Sequence, residues 1–239
     1  MKRFAPLLFL SLLTWRACGA EAPPAFSSLK PGDAVAAPLR LITLPGIEPN
    51  RFSFVADEGK TVLQVSSHAS AATLAIPLTA TASTTMRIEW RWKIDSVVAG
   101  ADMERKSGDD FAARFYVFFD APLDRLTFFE RTKIRLIRMI WGEDVPTAVL
   151  CYVWDNKHPV GYSRASPYTK LVRVIVLQSG AAGGGKWTDE SRDVAADFKT
   201  QFGYDAPAIT GIAVGSDTDQ TGESVRTWFG DVTLKTLPP

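Results

Sequence analysis

Cysteine is almost missing from this 239-residue sequence: Cys18 and Cys151 are its only two. Cys18 falls in an N-terminal segment with the marks of a removable leader, so the mature chain keeps one thiol and cannot close an intrachain disulfide. A disulfide-framed domain is thereby excluded, and stability has to come from an apolar core. Histidine is as scarce. His68 and His158 stand alone without metal-ligand spacing, which argues against a histidine-centred metal site or a His-based triad. Cys151 lies in an apolar run and reads as inert core rather than as a nucleophile. A long hydrophobic run is also missing: no segment beyond the leader reaches the roughly 20 apolar residues of a membrane-spanning helix. Nor is there an excess of either charge, with 27 Lys and Arg against 26 Asp and Glu. Nothing in that balance steers the chain towards nucleic acid or another polyelectrolyte.

Lys2 and Arg3, the apolar run over residues 4–13 and the small residues Cys18, Gly19 and Ala20 before Glu21 read as an export signal over residues 1–20. The expectation is a periplasmic or secreted protein beginning near Glu21. A lipoprotein acylated on Cys18 is the alternative, although Trp15, Arg16 and Ala17 make a poor lipobox. Losing Lys2, Arg3 and Arg16 with the leader takes the formal net charge from +1 to −2.

Residues 21–49, rich in Pro, Ala and Ser, suggest an extended N-terminal arm before a single domain over residues 50–239. That domain is patterned as strands. "RFSFVADEGKTVLQVSSHAS" has two apolar runs about a turn at Asp57, Glu58 and Gly59, a hairpin signature. "MRIEWRWKID" alternates strictly: Ile88, Trp90, Trp92 and Ile94 share one face, and Glu89, Arg91, Lys93 and Asp95 share the other. In "KSGDDFAARFYVFFD", Phe111, Ala113, Phe115, Val117 and Phe119 are expected to face the core, with Asp110, Arg114 and Tyr116 opposite. "TAVLCYVWDN" is apolar or aromatic on both parities. "KLVRVIVLQSG" reads as a central strand covered on both sides. "ITGIAVGSDTD" and "TWFGDVTLKTL" add two more strands. The fold class expected is all-β, a β-sandwich of jelly-roll type with one or two short covering helices. One helix is expected over residues 124–142, with Leu126, Phe129, Lys133, Leu136 and Ile140 in one stripe and Arg131, Arg135 and Arg138 opposite; the other runs from near Asp193 to Phe202.

The segments "WRWKID", "ERKSGDDFAARFYVFFD", "YVWDN", "VIVLQSG", "GIAVGSDTDQTGES" and "FGDVTL", in this order, resemble the exported bacterial family catalogued as domain-of-unknown-function family 3047. The resemblance spans nearly the whole mature chain. It implies a family of unassigned activity with a general likeness to jelly-roll carbohydrate-binding modules, and it supplies no catalytic residue.

Asp110 and Arg114 are four residues apart along one strand, roughly 13 Å, so their partners must come from neighbouring strands. The expected ligand face gathers Lys106, Asp110, Arg114, Tyr116, Tyr152, Trp154, Asp217, Asp219 and Glu223. Rings stack on the apolar faces of sugars while such polar groups bond to hydroxyls, so a carbohydrate or cell-envelope glycan is the ligand expected. A buried ion-pair network holding the sandwich in register is the structural alternative. Two further alternatives stay open: a glycan-cleaving enzyme using paired carboxylates, and a structural or partner-binding envelope domain. "DTDQTG", residues 217–222, copies the first half of a calcium loop, but Trp228 stands at the twelfth place where a Glu completes the pattern. A self-capped turn explains it without metal, so no cofactor is expected, with calcium as the alternative.

Overall fold

The computed structural model describes residues 22–80, 86–125, 131 and 146–236. The strands are β1 (Arg40–Thr43), β2 (Arg51–Asp57), β3 (Lys60–His68), β4 (Ala71–Ala80), β5 (Met86–Ile94), β6 (Phe111–Phe119), β7 (Ala148–Asp155), β8 (Ser163–Ser166), β9 (Thr169–Ser179), β10 (Thr188–Asp193), β11 (Ile209–Asp217), β12 (Ser224–Phe229) and β13 (Thr233–Thr236). They form two sheets of a jelly-roll β-sandwich. The seven-stranded sheet runs β1-β4-β11-β6-β7-β9-β8, and the six-stranded sheet runs β10-β5-β12-β3-β2 with β13 also paired to β5.

Alternation along β5 sets the packing. Its odd-even pattern buries Met86, Ile88, Trp90, Trp92 and Ile94 and leaves Arg87, Glu89, Arg91 and Lys93 half-buried on the other side. Trp90 stacks on Phe115 of β6 with centroids 4.1 Å apart, and Trp92 leans on Trp154 of β7 and Phe229 of β12. Large rings therefore join the two sheets, where interior packing rewards shape as well as area. The stretch over residues 21–49 contributes to this core: Phe26 is fully buried against Phe54, and β1 pairs with β4 at the sheet edge.

The expected hairpin is β2–β3, closed by Glu58 (φ 49°) and Gly59 (φ 76°). Two successive left-handed residues make the turn whose twist suits a two-residue hairpin. The helix expected near Asp193 is α1 (Val194–Phe202): the Asp193 side chain accepts from the Ala196 N–H at 3.0 Å, Gly203 ends the helix at φ 82°, and Phe198 is buried against Phe119. The helix expected over residues 124–142 lies almost wholly outside the described residues.

Two strand readings change. The fully covered strand is β7, with all eight residues buried, whereas β9 is next to the edge, between β7 and the short β8, and its buried side chains are Val174, Ile175, Val176 and Leu177. On β6, Phe111 does not share the core face of Phe115. Gly215 pairs with Arg114 while Asp217 pairs with Phe111, so β6 spends two residues, Ala112 and Ala113, where β11 spends one. This bulge turns Phe111 onto the outer face. There it packs in a second apolar cluster with Met103, Cys151, Val153, Val174 and Val176, and the Arg114 guanidinium lies 4.4 Å from its ring centre.

Phe115→Ala empties the centre of the inter-sheet ring stack, and a loss of about 3–5 kcal/mol in unfolding free energy is expected. Urea titration followed by tryptophan fluorescence measures it.

Candidate functional site

The bulge at the start of β6 brings together part of the expected ligand face. Arg114 is buried on the outer side of the seven-stranded sheet. Its Nε donates to Asp217 Oδ1 at 2.7 Å, and its Nη2 donates to Asp217 Oδ2 and to the Asp109 carbonyl. The Asp109 carboxylate lies 3.7 Å from the same Nη2. Asp110, fully buried, accepts from the backbone N–H groups of Gln220 (3.3 Å) and Thr221 (2.7 Å), which ties the turn after β11 to β6. Asp219 lies on that turn. Oxygens of Asp110, Asp217 and Asp219 all fall within 4.8 Å of one another. Burial holds the Asp217 carboxyl at about 7 although Arg114 opposes it, and burial likewise raises Asp109 and Asp219, with Asp110 adding repulsion at both. Arg114 remains charged, its pKa held above the ordinary value by Asp217 against the cost of desolvation.

The other expected residues separate. Lys106 is exposed at the rim, its ammonium 5.4 Å from the ring of the exposed Tyr168, whose hydroxyl donates to the Lys106 carbonyl at 2.9 Å. Tyr116 shares the Arg114 face, half-buried. Glu223 instead caps another loop, accepting from the N–H groups of Ala99 (2.9 Å) and Gly100 (2.6 Å). Tyr152 and Trp154 lie on the opposite face of the sheet, inside the sandwich. They are opposite Phe115 and Ala113, at 0% and 1% exposure, with Tyr152 Oη donating to Asp197 (2.7 Å) and Trp154 Nε1 to the Gly180 carbonyl (3.0 Å). Their rings are therefore packing, with their polar tips satisfied internally. Burial pushes the Cys151 thiol up to about 12, consistent with an inert core group. His158 is half-buried, with Nδ1 2.9 Å from Asp155 Oδ2 and its ring stacked on Tyr162, and exposed His68 bonds Ser224.

A second polar and aromatic surface lies on the outer face of the six-stranded sheet. Trp228 of β12 is directly across from Lys93 of β5, and both point away from the core that Phe229 and Trp92 enter. Trp187, just before β10, reaches the same ammonium: Lys93 Nζ is 5.0 Å from the Trp187 ring centre and 4.7 Å from that of Trp228. The two rings are thus no more than 9.7 Å apart, the sum of those distances, and both are half-buried. Ion pairs with Asp57 and Glu58 hold Lys93 and Arg91, and the Arg91 guanidinium packs 4.1 Å from the Trp187 ring centre. Beside them runs a groove of about 380 Å³ lined by Trp187, Trp90, Glu89, Glu190, Asp57 and Asp231 among others. Arg91 Nε, on a residue that lines this groove, is buried without an acceptor among the described residues.

Sequence reasoning missed this surface, although a signal existed for half of it. In "SVRTWF" Val225, Thr227 and Phe229 alternate with Arg226 and Trp228, which sets Trp228 on the outer face. Trp187 follows a glycine-rich loop and has no period to read.

The family model described as "Protein of unknown function (DUF3047)" matches residues 38–233. No curated protein matches the chain. Among solved structures, endoglucanase cel12A from Rhodothermus marinus aligns over 87% of this chain and 96% of its own, at 10% identity and a TM-score of 0.46. The carbohydrate recognition domain of Emp47p aligns over 90% and 95%, at 9% identity and a TM-score of 0.45. Likenesses this distant carry neither ligand nor chemistry over to this chain.

Asp217 titrates at about 7 in the fold against an ordinary 3.8. The folded protein therefore holds that proton more tightly, and the stability it contributes is present at low pH and lost as pH rises through about 7. In metal-free buffer, Tm of the parent protein minus Tm of Asp217→Asn is expected to fall between pH 5 and pH 8; thermal melts across that range measure it.

Proposed function

This chain belongs to the DUF3047 family, and for it we propose glycan binding on the outer face of the six-stranded sheet, at Trp187 and Trp228. The observation that carries this reading is the pair of half-exposed indoles sharing the Lys93 ammonium at 5.0 and 4.7 Å. Indole faces pack against the C–H faces of a sugar ring, and an orienting frame of charged groups bonds its hydroxyls. Pre-organisation supports it further: the Asp57 and Glu58 ion pairs fix Lys93 and Arg91 before any ligand arrives, so little side-chain entropy remains to be lost on binding. The groove volume of about 380 Å³ falls in the range of small-molecule sites. One unpartnered donor on a lining residue, Arg91 Nε, would find an acceptor in a ligand hydroxyl. The Arg114 corner is weaker support for a ligand, because most of its polar atoms are bonded within the protein. Export through the N-terminal leader is part of the same proposal, since envelope glycans lie outside the cytoplasm; N-terminal sequencing of the mature protein tests it.

Glycan cleavage is the second reading. Glu190 lines the groove, and burial lifts its carboxyl above the usual range despite hydrogen bonds from Gln178 Nε2 and Trp92 Nε1. A carboxyl pKa raised above the ordinary value is the direction a general acid needs. New reducing ends that vanish in Glu190→Gln would establish cleavage; binding without new ends establishes a binding module.

Calorimetric titration with cello- and chito-oligosaccharides tests the main reading. Removing one ring is expected to cost on the order of 1 kcal/mol, so Trp187→Ala and Trp228→Ala should each weaken affinity about fivefold with unchanged Tm. Equal affinity in both variants and the parent would exclude this face.

A further inference from the structure

The acidic corner on the other sheet has no part in that reading and calls for a ligand of its own. Asp109 and Asp217 contact one buried guanidinium, that of Arg114, and Asp217 also shares a close group of carboxylate oxygens with Asp110 and Asp219. We propose that Asp110, Asp217 and Asp219 bind a hard divalent cation, calcium, beside Asp109.

Three independent observations support it. The first is the donor set. The three carboxylate oxygens lie within 4.8 Å of one another, close enough for one cation to touch all three at Ca–O distances of about 2.3–2.6 Å. An all-oxygen donor set also selects hard cations over zinc or copper.

The second is backbone shape. Asp217 and Asp219 occupy the first and third places of the "DTDQTG" turn, and Gly222, in the sixth place, adopts φ 74°. Glycine at that place makes the sharp turn of a calcium loop. The Gly222 N–H donates to the Thr218 carbonyl at 2.8 Å, and the Gln220 and Thr221 N–H groups donate to Asp110. The turn is thereby closed on itself and bolted to β6, with its carboxylates positioned in advance. The Glu missing from the twelfth place is replaced by an acid from another segment, Asp110, just before β6.

The third is an orphaned atom. Asp109 is 5% exposed, and its carboxylate faces the guanidinium nitrogen that also bonds Asp217. Its Oδ1 is buried with no donor among the described residues. A buried carboxylate oxygen without a donor is costly, and a cation, or a water held by that cation, supplies the missing partner.

The test uses the protein from Glu21 onward, stripped with EDTA and passed over a chelating resin. Calcium chloride is titrated in by calorimetry, and thermal melts are taken with EDTA, with about 5 mM calcium and with about 5 mM magnesium. The expected result is one-site binding in the range of extracellular modules, about 10⁻⁴–10⁻³ M, with Tm rising by a few degrees in calcium and less in magnesium. Asp219→Asn, at a half-exposed position, should abolish the rise while leaving the EDTA-state Tm nearly unchanged. Should that variant fail to fold, the parent's calcium and EDTA melts decide alone. No heat and no calcium-dependent Tm in the parent overturns the proposal, as does a full calcium shift retained in a folded Asp219→Asn.

Discussion

The pleat of β5 is the constraint on which both the fold and the proposed binding face depend. Successive side chains of a strand point to opposite sides, so "RIEWRWK" cannot bury Trp90 and Trp92 without presenting Glu89, Arg91 and Lys93 outward. The inward indoles stack on Phe115 and lean on Trp154, joining the sheets. The outward cations reach Trp187 and Trp228. A one-residue slip in β5 would exchange the two sets and destroy core and surface together.

The two outer faces of the sandwich do different work. On the six-stranded sheet the polar groups border a groove and include a donor, Arg91 Nε, without an acceptor among the described residues. On the seven-stranded sheet the guanidinium of the Arg114–Asp217 pair packs against Phe111, and Asp110 anchors a turn. Removing one member of such a buried pair leaves an uncompensated charge, a loss of about 3–5 kcal/mol. Arg114 is therefore a structural residue whose substitution acts on the fold before it acts on any ligand.

The architecture was legible in the sequence where a strand has only one buried face, as β5 and β12 do. Strict alternation in β5, the Glu58-Gly59 turn and the Asp193 and Gly203 caps of α1 each carry a local signal that the structure obeys. Legibility failed where local pattern is silent. β7 is buried on both sides, so parity could not say that Tyr152 and Trp154 face inward. The Ala112-Ala113 bulge reverses Phe111 without any glycine or proline to announce it. For the candidate site, Asp110, Arg114, Asp217 and Asp219 were grouped correctly from strand adjacency and turn chemistry, whereas Glu223 went to another loop. Trp187 could not be reached, because its neighbours across β5 and β12 exist only once the sheet has formed.

The central claim is that a glycan meets the protein on the β5 face through Trp187 and Trp228. The most direct measurement is the set of indole N–H resonances in a ¹⁵N-labelled sample titrated with oligosaccharide. Shifts confined to the Trp187 and Trp228 signals, with those of Trp92 and Trp154 unmoved, are the result predicted. Oligosaccharide binding that leaves both signals in place and perturbs Tyr168 and the Arg114 side chain instead would contradict it.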